Sequence, residues 1–392
     1  MEASRLTAAR QIAASAAAEG DGAVAVGEAC EAAVDALDGD PGLVLAFAAG
    51  PLDAEAAAGG MVRAAPGAIC AGLTGSGVFT ADGPLEQGCA AIAFDRSTRA
   101  GLGVGVPEGD RLRQAGHDAA EAALADLGEG PGSPLLILLL DFAAGDIAEA
   151  IAGAYEACGP GVPLAGGACA GSHPFQMAAG EALTGSVVAV AVRRPKPFGI
   201  GNAQACETIG ETSIVTRSEG NVILEIDGRP AQEVYLEQLG LDGGPLSDED
   251  FASMAITHPL AQPELHGNRR LRHVLGRAGK GSLRCSTHIP ASAAIEFTVL
   301  GRRQLVRSGW DSVGSALEAL DGRPAEAALV FDCAGRRKVL GEALDEEVAA
   351  IADSFGDPGP PPTIGLYTSG EVARTRGAKG DYNHAVVTVA FT

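Results

Sequence analysis

The chain has 392 residues, too many for one ordinary core and enough for two or three domains. With 46% hydrophobic and 20% charged residues it is globular rather than disordered. A net charge of −22, with neither half basic, excludes nucleic acid and an anionic membrane surface as expected partners.

The opening MEASRLTAARQ has no apolar core of the kind a secretory leader needs. The longest uncharged stretch, 157–180, is interrupted by Gly159, Pro160, Gly161, Pro163, Gly166 and Gly167, so no membrane-spanning helix is expected there. Eight cysteines without CxxC spacing read as free thiols of a reducing compartment, and the expected location is cytoplasmic. Abundant Ala, Gly and Arg beside only four lysines suggest codon bias, which discounts part of the alanine signal.

In chain order, the first supersecondary unit has AVAV and a helix at 28–37, then GLVLAF (42–47), an Ala-rich helix near 53–64, AICAGLTGSG (68–77) and CAAIAF (89–94). The second has GLGVGV (101–106), a helix over 110–127, PLLILLLDF (134–142), helix DIAEAIAGAYEAC (146–158), VPLAGGACAG (162–171) and SVVAVAV (186–192). Region 197–290 differs in texture: short β-like pieces surround a helix at 230–240, where Pro230 suits the first turn and Gly240 the C-terminal cap. Turns at EGN (219–221) and GKG (279–281) read as hairpins. The third unit has AIEFTVL with a helix over 304–320, then AALVFDCAGRR (327–337), helix 342–355, PTIGLYTSG (362–370) and AVVTVAF (385–391).

Each unit carries a Gly-x-x-x-[Ser/Ala]-Gly turn, at Gly72–Gly77, Gly166–Gly171 and Gly365–Gly370. The apolar runs LVLAF, LLILLL and AALVF lack polar alternation, as strands covered on both faces do. The expected fold is therefore α/β, with α+β the neighbouring class. Three β-α-β-α-β-turn-β pseudo-repeats form sheets covered by helices, in two packed domains, 1–225 and 226–392.

The C-terminal half resembles the FIST family, the F-box and intracellular signal transduction sensory domains. The resemblance rests on IDGRPAQEVYLEQLG (226–240), LVFDCAGRR (329–337), GLYTSGEV (365–372) and YNHAVVTVA (382–390). The N-terminal half is similar to the companion FIST N domain through VLAF, AGLTGSGVF and AIAFD. A Gly/Pro-rich 357–362 and MAITHPL (254–260) depart from the family pattern. The resemblance implies a sensory module that binds a small ligand such as an amino acid and signals through a separate protein. It carries over no catalytic residues.

In such sheets ligands meet the loops at the carboxyl ends of strands. The expected ligand-binding set is Cys333, Arg336, Tyr367, Thr368, Ser369, Gly370, Glu371 and Asn383. Arg336 can clamp a carboxylate, and Glu371 can accept from an amine. The bland alternative is that both are structural ion-pair members, that Cys333 is a buried structural thiol, and that the glycines serve only backbone geometry. If only one turn binds ligand, the third is favoured, because its side chains are polar. An enzyme acting on a small carboxylate through Cys333 and a protein-interaction scaffold are the rival readings. No catalytic or zinc motif occurs and no cofactor is expected, although a single axial histidine for haem needs no motif.

Overall fold

The computed structural model describes residues 10–17, 22–241, 246–264, 268–279, 281–375 and 380–392. The expectations for the N-terminal residues 1–9 and for Lys280 within GKG lie outside the described residues.

Three six-stranded sheets share one strand order. Sheet I runs Ile12–Ala17, Gly88–Asp95, Pro41–Ala49, Ile69–Gly75, Gln176–Ala178, Glu181–Leu183. Sheet II runs Arg99–Gly105, Val187–Arg193, Pro134–Leu140, Leu164–Ala168, Glu371–Arg374, Asp381–Tyr382. Sheet III runs Phe198–Gln204, Ala385–Phe391, Ala327–Cys333, Thr363–Thr368, Val78–Thr80, Gly83–Leu85. In each, the third and fourth strands are parallel and their neighbours antiparallel. The last two strands of each sheet form a hairpin donated from elsewhere. The chain leaving the first glycine-rich turn enters sheet III, that leaving the second enters sheet I, and that leaving the third enters sheet II. The sheets are thereby interlocked in a ring.

The unbroken apolar runs follow from this arrangement. In Pro41–Ala49, Leu43, Leu45 and Phe47 point into a central core shared by all three sheets, while Val44, Ala46 and Ala48 meet outer helices. Leu135, Ile137 and Leu139 alternate with Leu136, Leu138 and Leu140 in the same way. Phe47 meets Phe331 edge-on at 5.3 Å between ring centroids, and Phe94 meets Phe391 at 5.4 Å, tying sheet I to sheet III. Both faces of each sheet being buried, neither can carry polar alternation.

Helices Gly22–Asp35 and Ala54–Ala64 cover sheet I, Leu112–Leu127 and Ile147–Cys158 cover sheet II, and Arg302–Glu318 and Leu344–Asp353 cover sheet III. Helix Leu112–Leu127 lies so close to Arg99–Gly105 that a Cβ at Gly103 would run into the carbonyl of Ala119. Ala115, Ala119, Ala120 and Ala123 are buried in that contact. At these four positions alanine serves packing rather than codon bias, small because backbones approach closely.

Two upstream strands differ from expectation. AVAV belongs to helix Gly22–Asp35, and the first strand of sheet I is the weakly patterned IAASAA, Ile12–Ala17. Ala294–Val299 lies in a fourth sheet, and its expected place in sheet III is taken by Phe198–Gln204. Small residues and a long insertion hid both.

That insertion builds sheet IV, in the order Arg269–Arg272, Leu260–Pro263, Ala294–Val299, Glu207–Glu219, Val222–Ile226, Leu283–Cys285, Val274–Arg277, with Arg229–Pro230 beside Val222–Ile226. Residue 226 therefore falls inside a strand of sheet IV. Helices Ala231–Gln238 and Asp248–Thr257 pack on it around Tyr235, Phe251 and Phe297. Gly240 takes φ +67° after the first of these helices, and Gly220 takes φ +54° in the hairpin between Glu219 and Asn221, as the turn residues predict.

Sheet IV docks through the short run Asp381–His384. Arg270 donates to the carbonyl of Asp381 at 2.9 Å, and its guanidinium lies 4.4 Å from the centre of the Tyr382 ring. Arg272 ion-pairs with the Asp381 carboxylate. The Asn383 side-chain oxygen accepts from the His273 amide at 3.3 Å and from the Ser286 hydroxyl.

Candidate functional site

The docking leaves a cavity of ≈ 170 Å³ between sheet IV and the carboxyl ends of two sheet III strands, Ala327–Cys333 and Thr363–Thr368. Its walls come from four places. Cys333, Ala334, Gly335 and Lys338 open helix Ala334–Leu340, and Thr368, Ser369 and Gly370 form the third glycine-rich turn. Asn383 and His384 precede the final strand. Ile256, His273, Leu275 and Ser286 come from the insertion, with Phe142 closing one side.

Local geometry shapes this space. Gly370 adopts φ +118°, and a Cβ there would stand 2.7 Å from Ile147. The chain can therefore leave sheet III and enter sheet II only with glycine at this position. His384 is itself held at φ +53°, unusual for a side chain of its size. Its Nε2 lies 3.1 Å from His273 Nδ1, joining the two imidazoles across the interface.

Of the residues expected from sequence, Cys333, Thr368, Ser369, Gly370 and Asn383 line the cavity, whereas Arg336, Tyr367 and Glu371 do not. Arg336 is fully buried behind the wall. Its Nε donates to Asp332 at 2.7 Å, Nη1 to Ser308 Oγ at 2.7 Å and Nη2 to the Leu305 carbonyl at 3.0 Å, and Nη2 also pairs with Glu347. Four of its five N–H donors are engaged within the fold, so the carboxylate clamp is not free. Tyr367 points outward beneath the helices, 5.2 Å from Phe79 between ring centroids.

Glu371 is fully buried. Its Oε2 accepts from the Ala385 amide at 3.2 Å, and Oε1 lies 3.0 Å from Thr368 Oγ1. Burial pushes its carboxyl up to about 8, although the Ala385 amide opposes the shift, so at neutral pH it holds a proton. An acceptor for an ammonium group is therefore lacking at this position.

The cysteine and the two histidines that line the cavity are neutral as well. Burial raises the Cys333 thiol well above its ordinary value, and nearby Glu371 adds to this, while the amides of Gly335, His384 and Arg336 oppose it. Burial, and then Lys338, pushes His273 down to about 4; burial and His273 hold His384 well below the usual range. Among the described residues lining the cavity, the exposed Lys338 is the one lysine or arginine, and there is no aspartate or glutamate. Such a site suits a small anion and disfavours a cation.

His273, His384, Ser286 and Lys338 were not singled out as ligand residues. His273 and Ser286 reach the site only through folding of the insertion, which no local pattern predicts. His384 stands beside the predicted Asn383, and Lys338 follows Arg336 by two positions, the signal being proximity to the chosen motifs.

No group of three or more His, Cys, Asp or Glu among the described residues is placed to hold a metal ion. No helix among them is long and apolar enough to cross a membrane. A family model described as the FIST N domain matches residues 42–229, and one described as the FIST C domain matches residues 231–374. No curated protein matches the chain.

Proposed function

The chain belongs to the FIST family, and from that premise we propose that it is a sensory domain pair whose ligand is a small carboxylate held in the cavity beneath sheet IV. FIST domains are sensory signal-transduction domains. The observation that carries the ligand class is the wall chemistry: neutral hydroxyl, amide, thiol and imidazole groups, with Lys338 as the single lining cation among the described residues. At ≈ 170 Å³ the space falls below the ~300–1,000 Å³ of sites for larger ligands, which favours a ligand of a few heavy atoms.

A carboxylate fits better than an amino acid, because the protonated, buried Glu371 cannot balance an ammonium. One wall belongs to sheet IV and the opposite one to sheet III, so an occupant bridges the insertion to the main body. A separate signalling protein would read the resulting restraint on sheet IV.

Thermal unfolding and calorimetry with two- to four-carbon carboxylic acids, and with the matching amino acids, test this reading. A ligand at about 100 times its Kd stabilises the folded state by about 2.7 kcal/mol. Small carboxylates should stabilise the protein, and Lys338→Ala should remove that stabilisation without lowering the unliganded Tm. Equal stabilisation of Lys338→Ala, or none by any acid, would refute the proposal.

A further inference from the structure

Three groups in the cavity are arranged in a way that simple carboxylate binding does not use. Cys333 Sγ and His384 Nδ1 both open on the space in front of Gly335, where a Cβ would stand 3.5 Å from the sulfur and 3.1 Å from the nitrogen. His384 is only 1% exposed, and its Nδ1 has no hydrogen-bond partner among the described residues. The opposite ring nitrogen, Nε2, is engaged by His273 Nδ1 at 3.1 Å, which fixes the imidazole plane. A buried, oriented and unpartnered ring nitrogen therefore faces the same small space as a thiol. Gly335 keeps that space open.

We propose that Cys333 is a nucleophile and His384 its proton acceptor, and that the site holds small carboxylates carrying an aldehyde or 2-oxo group by reversible covalent addition. This rests on the carboxylate reading above and sharpens it. Lys338 receives the carboxylate at the rim, leaving the adjacent carbonyl carbon toward the sulfur. The thiol proton passes to His384 Nδ1 as the sulfur lone pair forms the S–C bond and the carbonyl π pair moves onto oxygen. His384 then returns the proton to that oxygen, giving a hemithioacetal, or hemithioketal for a 2-oxo acid. Nothing is oxidised or reduced and no group leaves, so the reverse steps release the ligand intact. A neutral thiol beside a neutral imidazole suits this sequence, because the proton moves only as the bond forms.

The test compares glyoxylate, ¹³C-labelled at the aldehyde carbon, with glycolate, which has the same carboxylate but no electrophilic carbon. Both acids should stabilise the protein to heat. Glyoxylate alone should give a new ¹³C resonance for the sulfur-bound carbon, and its affinity should exceed that of glycolate at least tenfold. Cys333→Ser, whose folding is checked by its unliganded Tm, should lose the resonance and the tenfold preference for glyoxylate over glycolate. His384→Gln should slow adduct formation tenfold or more, read as the rate at saturating glyoxylate so that any change in carboxylate affinity does not enter. If both acids bind equally and no adduct resonance appears, the covalent proposal is overturned and the carboxylate site stands. If neither acid binds, both readings fall.

Discussion

Replacing Arg336 by methionine separates an architectural role from a ligand-binding one. The guanidinium sits between two fully buried carboxylates, Asp332 and Glu347, and also satisfies Ser308 and the Leu305 carbonyl. One oxygen of each carboxylate already lacks a hydrogen-bond partner among the described residues. Burial, and then Asp332, pushes Glu347 well above the ordinary glutamate value, and Arg336 is the cation that offsets this buried carboxylate pair. Without the arginine an ionised carboxylate in this pair would be buried and unpaired, so the pair must be neutral. Protonating an ordinary aspartyl carboxylate at pH 7 costs about 4 kcal/mol, which agrees with the ~3–5 kcal/mol lost when one partner of a buried pair is removed. At pH 5 the same step costs about 1.5 kcal/mol. Urea unfolding should therefore show Arg336→Met destabilised by about 4 kcal/mol at pH 7 and much less at pH 5. A loss below about 1 kcal/mol at both pH values, coupled with lost ligand binding, would refute the reasoning.

Two further outcomes follow from the same site. Glu371 has its pKa raised from the ordinary 4.5 to about 8, so between these values the folded chain keeps a proton that the unfolded chain has lost. Its contribution is complete below pH 4.5 and is lost as pH rises through 8. Glu371→Gln should accordingly gain about 3 kcal/mol relative to the parent between pH 5 and pH 8 in urea titrations; parallel pH profiles would contradict the shift. Gly335→Ala should put its methyl 2.8 Å from His384 Cε1 and close the space before Cys333. Calorimetry should show small-carboxylate binding lost, and the clash with the held imidazole should offset the ~1 kcal/mol that alanine gains over glycine in a helix; unchanged affinity would place the ligand elsewhere.

Much of the architecture was legible because burial on two faces leaves a direct mark on composition. Runs such as LLILLL can form only where both sides of a strand are covered, and Pro230 and Gly240 marked a helix by backbone geometry alone. Ile12–Ala17 was not legible, since alanine satisfies helix and strand alike when packing needs smallness. At the site, Cys333, Thr368, Ser369, Gly370 and Asn383 stood out because they follow strand ends. Arg336 and Glu371 stood out for the same reason, but burial decides whether a charge faces a ligand or an ion partner, and burial depends on the neighbouring helices. The contribution of His273 was out of reach, because it depends on how an insertion folds back over a distant strand end.

The ring of exchanged hairpins sets the order in which the molecule can be completed during synthesis. Sheet I has all its strands once residue 183 has emerged, whereas sheet II waits for Glu371–Arg374 and Asp381–Tyr382, and sheet III for Ala385–Phe391. The two matched family segments meet near residue 230, yet a chain severed there would leave sheet II without its edge hairpin and sheet III without Val78–Leu85. Neither fragment could hide its own central core. Residues 381–392 act as a clasp that shuts the entire assembly, and the cavity wall at His384 forms only when that clasp is fastened.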